Sequence, residues 1–231
     1  ALGLVGVDPA IRMHVAVATS LATIVPTSIS SAIAHHRRQA VDAAIVRRWS
    51  PFVLLGSVIG AIVAAQLHSR VLALIFATLA VLIAMKMVLF PTSRNLTSDI
   101  PRGPFVPLIP TAIGGLSSMM GIGGGTFSVM TLTLFNQSIH RAVGTAALLG
   151  LVISLPGTIT FMAAGWGDVR VPTGSVGYVS LIGFALIAPM TVISAPLGAR
   201  IAHAFSERRL SILFGLFLVI AAVRLYTRAL A

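Results

Sequence analysis

The strongest chemistry in this sequence belongs to backbone amides, in the stretch Ser117-Ser118-Met119-Met120-Gly121-Ile122-Gly123-Gly124-Gly125-Thr126-Phe127-Ser128. It lies within an apolar segment running from about Pro104 to Phe135. Each glycine costs a helix interior roughly 1 kcal/mol relative to alanine, so Gly121, Gly123, Gly124 and Gly125 predict a break. In a bilayer such a break is tolerated only where the freed N–H and C=O groups are buried in protein or face a water-filled cavity. The second half of a broken helix points its N-terminus inward, with unpaired N–H groups and the positive end of its dipole. That combination suits an anion. Glycines that merely let two helices pack closely are the competing reading. Two soluble phosphate motifs are excluded. Thr126 stands where a dinucleotide fingerprint needs its third glycine, with no acidic residue about 20 positions on, and no Gly-Lys-Ser/Thr follows.

The elements that must hold this stretch are membrane helices. Of 231 residues, 57% are hydrophobic and 9% charged, and mean hydropathy is +1.00; a soluble domain carries roughly 25% charged residues. The net charge of +11 comes from arginines lying mostly between apolar runs, the pattern of positive-inside topology rather than of a nucleic-acid surface. Cysteine is absent, which excludes disulfides and thiolate metal sites. Residues 1–7 read as the tail of a helix that begins upstream. Spans of roughly bilayer length are expected near 14–34, 51–67, 71–90, 142–165, 174–199 and 210–226. A polar loop covers 35–42, closed by Arg47-Arg48-Trp49.

The two halves repeat each other. His14-Val15-Ala16-Val17-Ala18-Thr19 returns as His140-Arg141-Ala142-Val143-Gly144-Thr145, a shift of 126 that also carries Ser28 to Ser154 and Asp42 to Asp168. Farther on the shift becomes 138, taking Gly60 to Gly198 and Arg70 to Arg208. The expected organisation is a first repeat over 1–90, a linker over 91–103 and a second repeat over 104–231. The same shift predicts another glycine-rich break just upstream of Ala1. If the 104–135 segment crosses once, the halves are parallel and the arginines divide six against nine. If it enters and returns as a V, the halves are inverted and the division is ten against five, the stronger bias. The expected fold is an all-α polytopic bundle of two pseudo-symmetric, inverted repeats with glycine-broken helices at the midplane.

Gly-Ile-Gly-Gly-Gly followed by an apolar run and His-Arg-Ala-Val-Gly-Thr resembles the sulfite exporter TauE/SafE family. So does the first half, with His-Val-Ala-Val-Ala-Thr-Ser-Leu, then Ser30-Ser31-Ala32-Ile33-Ala34-His35 and Val41-Asp42. The likeness covers nearly the whole chain. It implies a multi-pass carrier of the bacterial inner membrane for small sulfur-containing anions, sulfite or organosulfonates.

A sulfonate wants several neutral donors in a dry pocket. Backbone N–H groups of the run Gly121, Gly123, Gly124 and Gly125, with the Thr126 and Ser128 hydroxyls, would supply them. The repeat axis is expected to bring Thr19, Ser20 and Thr145 close by. Any of these hydroxyls could instead bond the carbonyl four residues back. For gating or proton coupling the candidates are His14, His140, Asp42, Asp168 and Lys86. Each has an ordinary alternative: interface residue for the histidines, capping for the aspartates, snorkelling for Lys86. Trp49 and Trp166 suit an aromatic belt. His35-His36 point to different sides of a helix and make a poor metal site. Neither a nucleophile–base pair nor a pair of carboxylates is visible, so an enzyme is not expected, and no cofactor or metal is implied.

The expected function is a secondary transporter working by alternating access, with the lipid bilayer and a small anion as partners and proton coupling as one means of drive. The alternatives are a membrane-embedded enzyme, a cofactor or metal assembly factor, a carrier of another small anion or zwitterion, and a channel.

Overall fold

In the computed structural model, residues 7–89, 107–135, 137–204 and 207–230 are described. The expectations for the upstream helix tail over residues 1–6 and for the 91–103 linker lie outside them. Eight helices account for nearly all of these residues: α1 (Arg12–Arg37), α2 (Ala43–Gln66), α3 (Ser69–Leu89), α4 (Leu108–Met120), α5 (Gly125–Leu134), α6 (Ile139–Ala164), α7 (Leu181–Ala204) and α8 (Glu207–Leu230). A two-residue hairpin, β1 (Ser175–Val176) with β2 (Val179–Ser180), precedes α7. Helices α1, α2, α3 and α6 are long and apolar enough to cross a membrane. Large apolar side chains on α2 (Leu54, Leu55, Ile59), α7 (Met190, Ile193) and α8 (Phe217) face outward, which a hydrocarbon surround accepts and water would not.

Two boundaries differ from the sequence reading, and both have local causes. The expected loop through Trp49 is helix from Ala43 onward, because the Asp42 carboxylate accepts the N–H groups of Ala44 and Ile45 at 3.1 Å and starts α2 there. Pro51 then sits inside α2 rather than at its beginning. Trp49 is 1% exposed and packs in the core with Ile45, Val53 and Leu149, not in an interfacial belt; Trp166, at 76%, is exposed as a belt residue would be. The expected span from 174 likewise begins later, since Gly174–Ser180 forms the hairpin.

Helix directions follow from a few contacts. The α1–α6 pair is antiparallel: Gly150 faces Ser28, Gly157 faces Leu21, and the amide of Tyr178, just beyond α6, reaches the Phe161 carbonyl. The α2–α6 pair is parallel, with the Asp42 amide on Thr145 Oγ1 (2.9 Å) and Ser57 Oγ on the Ile153 carbonyl (2.7 Å). The α3–α8 pair is antiparallel, with Arg208 Nη2 on the Val88 carbonyl and Tyr226 against Thr78. Helix α4 follows α2, Thr111 beside Gly56 and Gly115 beside Gly60. Helix α5 then leads back to the start of α6, so α4 and α5 form a V that enters and leaves at the same end of the bundle.

Candidate functional site

The tip of the V lies halfway along α1 and α6. Helix α4 ends at Met120, Gly121 takes φ 66°, Gly123 and Gly124 follow at 65° and 76°, and α5 begins at Gly125. Left-handed backbone at three positions in four residues needs glycine, since a Cβ there meets the neighbouring carbonyl. The tip is pinned from both sides. Gly121 lies against Val17 and its carbonyl accepts the Ser20 hydroxyl at 2.6 Å; Gly123 lies against Ile24, and Gly124 against Ile153.

This geometry leaves a row of donors. The first amide of the α5 turn to find a backbone acceptor is Ser128, on the Gly124 carbonyl at 2.8 Å. The N–H groups from Gly123 to Phe127 have no acceptor among the described residues. Leaving a buried donor unpaired costs about 1–3 kcal/mol, and these also stand at the positive end of a helix dipole. Space adjoins them. A Cβ added at Gly125 would meet nothing within 4 Å, whereas one at Gly123 or Gly124 would collide. The hydroxyl of Ser117, fully buried and without a hydrogen-bond partner, lies 3.5 Å from where a Gly124 Cβ would be.

Other buried hydroxyls surround this point. Ser118, Ser128 and Ser154 are each 0% exposed and lack a partner among the described residues. Ser118 lies where α2, α4 and α6 meet, beside Gly157 and Ser57. Of the residues expected from sequence, the tip gathers Gly121, Gly123, Gly124, Gly125, Thr126, Ser128 and Ser20. Thr19 and Thr145 are placed elsewhere. Thr145 accepts the Asp42 amide near the start of α6, and Thr19, level with the tip along α1, faces the hairpin instead and accepts the Ser180 amide at 3.0 Å. Ser117, Ser118 and Ser57 were not singled out in sequence, because nothing in a serine's neighbours distinguishes a hydroxyl aimed at a helix break from one bonded to its own helix.

The two ends of the α1–α6 pair carry the titratable groups. At one end His14 is 4% exposed, its Nε2 is 2.9 Å from the Leu67 carbonyl, and its ring stands 5.2 Å from that of Tyr178. Tyr178 donates to Asp168 Oδ2 at 3.1 Å, and Arg170 clamps the same carboxylate through Nε at 2.9 Å and Nη2 at 2.7 Å. Asp168 therefore braces the hairpin, where a helix cap was one expectation. The Arg170 hydrogen bonds hold its carboxyl well below the usual carboxylate range, and burial together with Asp168 pushes the Tyr178 phenol up. At the other end Asp42 caps α2 and meets Arg141 Nη2 at 3.4 Å, with His140 exposed nearby. Lys86 is half-buried in the last turn of α3. No group of histidine, cysteine and carboxylate side chains among the described residues could hold a metal ion.

The family model for "Sulfite exporter TauE/SafE" matches residues 1–225. The chain belongs to that family. A probable membrane transporter protein of Haemophilus influenzae is 33% identical over 232 residues, covering 98% of this chain and 86% of the relative. A probable membrane transporter protein of Bacillus subtilis is 27% identical over 164 residues, covering 68% and 67%. No solved structure matches. The family, these names and the apolar helices make the chain a multi-pass membrane transporter.

Proposed function

We propose that this TauE/SafE member is a secondary transporter, not an enzyme, and moves a small sulfur-containing anion, sulfite or an organosulfonate, by alternating access around the tip of the α4–α5 V. The observation that carries the reading is the run of unpaired amides from Gly123 to Phe127 beside open space at Gly125. Sulfonate oxygens are acceptors only, so a cage of N–H and O–H donors satisfies them without a cationic side chain. Ser117, Thr126 and Ser128 would add hydroxyl donors.

Inverted repeats over 1–90 and 104–231 complete the proposal. Supporting them, the matched helices α1 and α6 are antiparallel neighbours, as are α3 and α8. The entering and returning V is what inversion needs. Arg37, Arg38, Arg47, Arg48, Arg141 and Arg208 then share one end, placed by charge bias in the cytoplasm, and Arg12, Arg70 and Arg170 the other.

Uptake of radiolabelled sulfite, sulfoacetate and taurine into proteoliposomes tests the reading. Wild-type protein is expected to carry at least one of them. Removing one hydrogen bond to a charged ligand costs about 1.5–3 kcal/mol, so Ser117→Ala should weaken apparent affinity about tenfold or more. Full flux in correctly folded Gly124→Leu would remove the tip from the mechanism.

A further inference from the structure

Among the ionisable groups at the ends of the α1–α6 pair, one is built to take up a proton. Asp42 is committed to capping α2 and to Arg141. Asp168 is saturated by Arg170 and Tyr178. His140 is exposed, and Lys86 lies half-buried at the end of α3. His14 differs. Its Nε2 faces the Leu67 carbonyl, which only accepts, so Nε2 carries the ring hydrogen and Nδ1 holds a lone pair. Nδ1 is buried and has no hydrogen-bond partner.

We propose that His14 is a proton-binding residue whose protonation at Nδ1 releases the β1–β2 hairpin from α1, opening this end of the transporter. A proton from solvent adds to the Nδ1 lone pair and gives an imidazolium, while Nε2–H keeps its bond to Leu67. The new N–H needs an acceptor where none is placed. The charged and titratable groups that act on the ring are Arg170, Asp168 and Tyr178 on the α6–α7 connection, while Arg12 lies two positions earlier in the chain and His68 and Arg70 flank the α2–α3 turn beside Leu67. The Arg170 guanidinium repels an added charge, and the Asp168 carboxylate is already occupied by four donors. A buried charge so placed is costly. Withdrawal of the hairpin hydrates it, breaking the Tyr178 ring contact and the Ser180–Thr19 bond. The hairpin moves as a unit because Asp168 stays ionised and keeps its bonds from Arg170 and the neutral Tyr178 phenol. This coupling rests on the transporter reading for its purpose, but its structural part stands apart from any substrate.

The chain has no cysteine, so Val169→Cys, at a 97% exposed site, and Arg70→Cys can carry spin labels without background. In lipid vesicles the interlabel distance is expected to lengthen and broaden between about pH 7.5 and about pH 4.5, a range that takes in ordinary imidazole titration and the lower values that burial imposes on a histidine. His14→Gln keeps the donor to Leu67 and cannot gain a proton, so its distance should stay short throughout. A pH response surviving in His14→Gln, or none in the His14 protein, overturns the proposal. Should His14→Gln fail to fold, histidine C2–H exchange read by mass spectrometry on the His14 protein replaces it. A His14 midpoint coinciding with the distance change supports the latch, and a mismatch refutes it. Distance change without flux of any sulfur anion would sink the transporter reading and leave the latch; flux with no distance change would do the reverse.

Discussion

Two groups of glycines, one along the α2–α4 seam and one at the tip of the V where α4 ends, do different work. On α2 and α4, Gly56, Gly60 and Gly114 are helical, and each stands where a Cβ would strike the partner's backbone; a methyl on Gly60 would come within 2.7 Å of Gly115 Cα. These are contact glycines of the small-xxx-small kind, which let two membrane helices approach along their length. At the tip of the V, Gly121, Gly123 and Gly124 are needed for their dihedral angles, and Gly125 has room for a side chain it does not carry. Glycine count alone does not separate packing from ligand binding. Neighbouring space and unpaired amides do.

The largest effect expected from this contrast is at the helix seam. Gly60→Leu forces side-chain atoms into the α4 backbone, which cannot repack, and most of the protein should be lost as a monodisperse species on size exclusion. Normal yield would mean that the α2–α4 contact is dispensable. Next comes Gly124→Ala, which sets a Cβ on a left-handed residue and against Ile153, for roughly 1–2 kcal/mol of strain. Its melting temperature in detergent should fall by several degrees and its flux should collapse. The discriminating variant is Gly125→Ala. Replacing a strain-free glycine stabilises by about 0.4–1 kcal/mol, so melting should hold or rise slightly, while the methyl intrudes beside the free amides and should raise KM for sulfoacetate severalfold. Unchanged KM there would reduce the tip to a packing device.

The smallest effect concerns acid, because neither glycine group contains a titratable side chain. Asp168 is the carboxylate held low, so its contribution is complete above the usual carboxylate value near 3.9 and is lost as pH falls through its lower folded value. Protection of the Arg170 amide, which the Asp168 carboxylate accepts at 3.0 Å, should therefore be flat from neutral pH down to about 4 and fall only below that, whereas in Asp168→Asn it should be lost at every pH. Loosening of that internal brace near pH 6 would contradict the assignment.

Much of this was legible in the sequence, and the reasons are specific. The break at 121–125 could be read because three left-handed residues in close succession leave only glycine. The V followed from segment length and arginine distribution, both of which are one-dimensional quantities. The start of α2 was misplaced because Pro51 looked like a boundary, while the stronger signal, Asp42 as a cap, competed with a run of polar residues. Trp49 was assigned to an interface by residue type, yet its place within α2 turns it inward. Thr19 and Thr145 illustrate another limit. Their repeat match is visible in sequence, but which amide each hydroxyl accepts depends on how α1 and α6 lie together.

That pairing has a mechanical consequence. Two antiparallel helices in contact near their midpoints, Ser28 against Gly150 and Leu21 against Gly157, would work as a pair of levers if they pivot there. A small tilt of one on the other spreads the tips at one side of the membrane and pinches them at the opposite side, with the fulcrum held still. In the alternating-access cycle proposed above, that motion would leave the row of amides at the tip of the V nearly stationary and offer it to one compartment and then the next.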